Sequence, residues 1–478
     1  MPGRCKDNNY DKNIYICEIN TDYVNKMNLK NRHMLLWSAI AMLITIVSSC
    51  SPDWTGEMMP DYSSGNNGRE PEREVVEYTR KVMILYSAGF NSISSYLKED
   101  IEDLSQGWVP KKRKADDVIL VYSHLPKKRG QYSQPTSPVL FQLYADAEGN
   151  IVRDTLVTYE AGTISASAGQ LNEVLSYVRD TYPARSYGLI FSSHATGYLP
   201  GGFYTKPSDY TFNESGESGM FSAGMGGRYI PSPVPYVEPE RDPRLPAVKS
   251  IGQDALDGMS YEIDLRDFAK AIPMKLDYIL FDACLMGGVE VAYELAGKCD
   301  VVGFSQAEVL AEGFNYKTLA SHLLGNKPKS SPYDVCHDYF VQYDTQFGEY
   351  RSATISLIDC NRLETLTEVC KGLFAEYSAT IADMSDEGVQ QFYTGSHHWF
   401  YDLKSILLNA GMTAEEEAEL DAALAECIVY KGNTPSFLNT FAIHTFSGFS
   451  MYLPGNGNKE LDKYYRTLKW NKATGLVK

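Results

Sequence analysis

The sequence predicts an α/β fold built on a mostly parallel sheet. Apolar runs of strand length recur along the chain, segments of helical periodicity fill the gaps between them, and two of the runs stop abruptly at residues that bear chemistry.

Taken in order, Val82-Met-Ile-Leu-Tyr86 is the first strand, and Ile93 to Leu104 repeats apolar residues at helical spacing. Asp117 to Tyr122 is the second strand. Pro138 to Tyr144 and Ile151 to Tyr159 flank Ala-Glu-Gly-Asn as a hairpin, and Ser165 to Asp180 is a helix. Ser186 to Ser193 is a strand ending at His194. After an insertion from 201 to 250, rich in Gly, Pro, Ser and Tyr, Leu276 to Phe281 is a strand ending at Asp282-Ala-Cys284. A structureless stretch of that length inside a domain is functional or disordered. Cys299 to Ser305 and Ser352 to Ile358 are strands, and Asp334 to Phe347 and Arg362 to Ala382 are helices. From Met384 the pattern changes to a helix at 414–427 and two short strand-like runs. The expected organisation is a catalytic domain over 78–383 and a smaller carboxy-terminal subdomain over 384–478.

With 44% hydrophobic and 22% charged residues, a chain of 478 residues buries a core without difficulty. The net charge of −17 excludes a nucleic-acid footprint, which needs a basic face, and favours cationic substrates. None of the nine cysteines forms a CxxC pair, so no thiolate metal site is expected. Met27 opens a basic segment followed by an apolar run, Met34 to Val47, too short to span a bilayer. Residues 27–50 therefore form a signal peptide, 1–26 lie upstream of the expected start, and 51–77 are a polar tether. Val47-Ser48-Ser49-Cys50 resembles a lipobox, with Cys50 the acylated residue; the alternative is plain secretion. Ser51 after that cysteine points to an outer-membrane lipoprotein.

Strand ends at the carboxyl edge of a parallel sheet gather functional groups. A thiol beside an imidazole there is the minimum constellation for acyl transfer, because the thiolate is the attacking species. Taken alone, either residue has a bland reading, Cys284 as a small buried hydrophobe and His194 as a hydrogen-bonded strand end.

The stretches Leu189-Ile-Phe-Ser-Ser-His-Ala-Thr-Gly-Tyr-Leu-Pro-Gly-Gly202 and Leu276-Asp-Tyr-Ile-Leu-Phe-Asp-Ala-Cys-Leu-Met-Gly-Gly-Val-Glu290 closely resemble the paired His and Cys motifs of the clostripain family of cysteine peptidases, within the caspase-haemoglobinase fold group. Val82 to Asn91, Val301 to Tyr316, Phe400-Tyr-Asp-Leu403 and Gly448 to Pro454 resemble further family landmarks, so the likeness covers about residues 78 to 475. The resemblance implies Cys284 as nucleophile, His194 as acid–base partner, and an oxyanion site made of the backbone N–H groups of Cys284 and Ala195. Ala195 departs from the family's usual glycine. The resemblance also implies cleavage of proteins or peptides after Arg or Lys, with Asp282 and Glu312 as pocket acids, since a carboxylate pairs bidentately with a guanidinium. It implies a zymogen that cuts itself in the insertion, where Lys206, Arg228, Arg241, Arg244 and Lys249 are acceptable sites. No cofactor is required; calcium accompanies some members and the acidic composition permits it. The alternative is a catalytically silent relative that binds basic peptides in the same cleft.

Overall fold

The computed structural model describes residues 79–201, 203, 234–235, 254–256, 259–325, 330–395, 398–454 and 459–478. The signal peptide, Cys50, the tether and all five candidate self-cleavage residues lie outside them. Nine strands form one mixed sheet: β1 (Thr79–Ala88), β2 (Asp117–His124), β3 (Val139–Ala145), β4 (Ile151–Thr158), β5 (Ala184–Ser192), β6 (Leu276–Asp282), β7 (Cys299–Phe304), β8 (Thr354–Asp359) and β9 (Ile428–Asn433). Their spatial order is β9-β8-β7-β6-β5-β1-β2-β3-β4. The five central strands, β7 to β2 in that order, are parallel, and the two outer pairs on each side are antiparallel.

The central strands read as continuous apolar runs because both faces of the sheet are covered. Met83, Ile84, Leu85 and Tyr86 in β1 and Ile279, Leu280 and Phe281 in β6 are at most 1% exposed. The covering helices fall into two packing groups. In one, α1 (Ser94–Gln106) meets α5 (Tyr316–Leu323), which meets α6 (Pro332–Asp344). In the other, α2 (Ala168–Thr181) meets α3 (Leu265–Ala271), α3 meets α4 (Val289–Leu295), and α4 meets α11 (Lys469–Thr474) beside α7 (Glu364–Asp383). The remaining helices α8 (Leu403–Asn409), α9 (Ala414–Cys427) and α10 (Lys459–Tyr465) follow α7 in the chain.

The segment after Met384 supplies β9 to the central sheet, and its Phe400, Tyr401, Phe449, Tyr452 and Trp470 share one continuous core with the strands upstream. The α2-to-β5 connection reverses the direction in which successive strands are added, so the β1–β5 boundary is a topological switch point, where a crevice opens at the carboxyl ends of the strands. The site is built there.

Candidate active site

Register brings the two reactive residues together. β5 and β6 pair in parallel with Ser192 opposite Asp282, so His194 and Cys284 each follow two residues beyond a matched strand end. Adjacent strands run about 4.8 Å apart, so the loops that carry the two residues leave the sheet side by side. Both are buried, at 4% and 0% exposure.

The chain turns sharply at Cys284. Leu285 holds φ +62°, a left-handed conformation that costs a branched side chain on the order of 1–3 kcal/mol. The neighbourhood enforces it: the Leu285 N–H donates to Ala307 O at 3.0 Å, and the Gly287 N–H to Ser305 O at 2.7 Å. Gly287 is obligatory, because a Cβ there would lie 2.6 Å from the backbone of Gln306. Gly197, at φ +60°, seats its bare Cα against the Leu285 carbonyl, where a Cβ would approach to 2.4 Å. The histidine loop and the cysteine loop are therefore interlocked by backbone contact. Among the described residues the non-glycine positions with positive φ are Leu285, Leu438 and Asn439, so Ala195 keeps an ordinary negative φ.

Hydrogen bonds then set the chemistry. The Val309 N–H donates to Cys284 Sγ at 3.1 Å, and the thiol in turn lies 3.8 Å from Val309 O. The Ser92 hydroxyl, in the loop after β1, lies 3.3 Å from His194 Nε2. That loop is fixed by the Asn91 side chain, which donates to Ala88 O at 3.0 Å and accepts from the Ile93 N–H at 3.2 Å, while Ser193 Oγ donates to the same carbonyl at 2.8 Å. Asp282 is fully buried, and its Oδ2 accepts from Ser192 Oγ at 3.0 Å and from Tyr316 OH at 2.7 Å. Burial and the charge of Asp282 push the Tyr316 phenol well above its usual range, so it remains a donor. Glu312, by contrast, is exposed on the loop before α5, beside Gly313 at φ +61°. Asp282 is thus enclosed and Glu312 lies on the outside.

A cavity of about 50 Å³ opens next to His194, between Ala195, Thr196, Glu262, Phe268 and Met286. At roughly 10–15 Å³ of such volume per water it has room for a few waters. The larger concavities lie elsewhere on the molecule. Support beneath the cysteine comes from α4, whose Glu290 is buried and accepts from the Tyr452 N–H at 2.9 Å and Tyr465 OH at 2.7 Å. Desolvation lifts its carboxyl to about 7. Asp402 caps α8 by accepting from the Ser405 N–H, and its other oxygen accepts from the Ser447 N–H. Among the described residues no cluster of three His, Cys, Asp or Glu side chains is placed to hold a metal.

Ser92, Val309 and the left-handed Leu285 were not among the residues singled out from sequence. Ser92 and Val309 sit 102 and 25 residues from their partners, and neither has a local pattern that would mark it.

The Clostripain family model matches residues 85–215 and 238–475. No curated protein matches the sequence. Among solved structures, an inactive zymogen C11 protease from Parabacteroides distasonis is 23% identical, covering 83% of this chain and 98% of its own with a TM-score of 0.63. A secreted C11 cysteine protease from Bacteroides thetaiotaomicron, iotapain, is 22% identical over 83% and 99% with a TM-score of 0.62. Such a protease from the same organism in complex with an irreversible peptide inhibitor is 20% identical, again over 83% of this chain and 98% of that one, with a TM-score of 0.62. These likenesses extend the fold assignment across the whole described sheet.

Proposed function

The chain belongs to the clostripain family of cysteine peptidases, and from that premise we propose that it cuts peptide bonds after arginine or lysine, with Cys284 as nucleophile and His194 as its acid–base partner. The register that sets Ser192 opposite Asp282 supports the proposal, because it starts the loops that carry His194 and Cys284 from adjacent strand ends. Sγ attacks the scissile carbonyl, and the new oxyanion is held by the N–H groups of Cys284 and Ala195. The C–N bond then breaks as His194 gives its proton to the leaving amine. Water, deprotonated by His194, attacks the thioester, releasing the acid and restoring the thiol. No cofactor enters these steps; turnover that survives a calcium chelator is the expected result.

Asp282 is the proposed base of the specificity pocket. Its Oδ2 accepts from the hydroxyls of Ser192 and Tyr316, and a carboxylate is the group that pairs bidentately with a guanidinium. Glu312, exposed at the outside, is the proposed rim acid that draws the cation in. Because both Cys284 and Asp282 are fully buried, the site as described has no door for a side chain. That supports a zymogen opened by self-cleavage in the insertion, at Lys206, Arg228, Arg241, Arg244 or Lys249. Active protein that runs as one intact band would overturn it. The lipobox at Cys50 supports an envelope-anchored protein; failure of an alkyne fatty acid to label the chain, with Cys50→Ser as control, would leave plain secretion.

The test of the reaction is fluorophore release from Arg-, Lys-, Asp- and Leu-terminated peptide amides. Turnover of Arg or Lys substrates that falls about 10⁴-fold or more in Cys284→Ala is expected. No turnover after nicking of the insertion would favour a silent relative that binds basic peptides in this cleft.

A further inference from the structure

The active edge of the sheet is the carboxyl edge; the opposite, amino edge carries a charge pattern at odds with the rest of the molecule. The chain as a whole has a net charge of −17, yet Lys111-Lys112-Arg113-Lys114, in the loop that leads into β2, is an uninterrupted cationic run. All four residues are exposed. Arg113 pairs with Asp154 at 2.6 Å, whereas Lys111, Lys112 and Lys114 form no ion pair among the described residues. Behind them is a concavity of about 490 Å³ lined by Arg80, Trp108, Lys111, Lys112, Asp116 and Asp117. Arg80 is turned inward by Asp117, which it meets at 2.6 Å, and half-buried Trp108 lies along the wall. An aromatic ring next to unpaired lysines is the side-chain pattern of a membrane–water interface.

The far end of the same edge repeats the sign. Where Lys298 leads into β7, a concavity of about 580 Å³ is lined by Arg266, Lys270, Lys298, Arg466, Lys469 and Lys472. Arg266, Lys270 and Lys469 have acidic partners in Asp264, Asp267 and Glu294; Lys298 and Lys472 have no carboxylate partner among the described residues. Since β1, β2, β6 and β7 are parallel, both concavities open at one edge. Thr79, the first residue of β1, lies at this edge too.

We propose that this amino edge, centred on Lys111, Lys112 and Lys114, rests on an anionic lipid surface and so turns the catalytic edge away from it. The inference does not need peptidase activity, and its failure leaves the proposed reaction untouched. Each lysine close to an anionic bilayer contributes about a fivefold factor in partitioning, lost within a Debye length of about 8–10 Å.

The test uses the full chain carrying Cys50→Ser, mixed with phosphatidylcholine vesicles with and without phosphatidylglycerol. Apolar insertion contributes equally to both, so the readout is the ratio of the two partition coefficients. Lys111→Glu/Lys112→Glu/Lys114→Glu should lower that ratio more than tenfold with an unchanged melting temperature, and the triple Lys→Arg variant should preserve it. A ratio unaffected by the charge reversal overturns the proposal. Inorganic phosphate and chloride at equal ionic strength should release the protein equally; selective release by phosphate would overturn the surface in favour of a discrete phosphate pocket.

Discussion

The two edges of one sheet treat polar groups in opposite ways. At the carboxyl edge an imidazole, a thiol and three carboxylates (Asp282, Glu290 and Asp402) are all buried, and backbone N–H groups or hydroxyls fix each of them. At the amino edge the cations of the Lys111–Lys114 run face solvent, and their backbone forms no strand or helix. A buried polar group must be satisfied in one geometry, so the first edge is precise and intolerant; a solvated charge carries field without fixed geometry, so the second is tolerant. Substitutions should divide accordingly.

The largest effect on the fold is expected from Gly197→Ala. The new Cβ would lie 2.4 Å from the Leu285 carbonyl at a left-handed φ, so a loss of about 2–4 kcal/mol is expected by chemical denaturation. An unchanged midpoint would mean that the two loops are not interlocked. Next is the buried carboxyl of Glu290. Its folded pKa of about 7 lies above its unfolded value of 4.5, so the native state holds the extra proton between those values. Stability should therefore fall as pH rises from about 5 to 8, by on the order of 3 kcal/mol for full ionisation. Glu290→Gln should flatten that slope when melting temperature is followed against pH; a slope equal to the parent's would show that the group is solvated.

If the Ser92 hydroxyl, 3.3 Å from His194 Nε2, acts by orienting the imidazole, Ser92→Ala should lower kcat about tenfold and leave KM within twofold. A shifted pH–rate profile, restored in Ser92→Thr, separates orientation from general loosening. Smallest is Glu312→Gln, an exposed acid whose loss should raise KM for Arg substrates no more than about fivefold. If it matched the effect of a buried group, exposure would not be what divides tolerant positions from intolerant ones.

Much of the precise edge was legible in the sequence. His194 and Cys284 announce themselves by ending apolar runs, and Asp282 by standing two residues before the cysteine on an alternating strand. What was hidden is whatever depends on a partner far along the chain. Val309 N–H finds Cys284 only because β6 and β7 are adjacent, and Ser92 finds His194 only because β1 and β5 are. Glu290 reads as an ordinary helical surface acid until Tyr452 and Tyr465 are placed over it. Likewise the strand at 428–433 looks detached from the fold in sequence, where 68 residues separate it from β8, although it pairs directly with that strand.

The adjacency of β5 and β6 has one more consequence. The insertion lies between two strands that neighbour each other in the middle of the sheet, so a break in it would divide the covalent chain without dividing the particle. One piece would keep β1 to β5, the other β6 to β9, and parting them would expose a seam as apolar as a domain interior. A denaturing gel would count two polypeptides where gel filtration counts one.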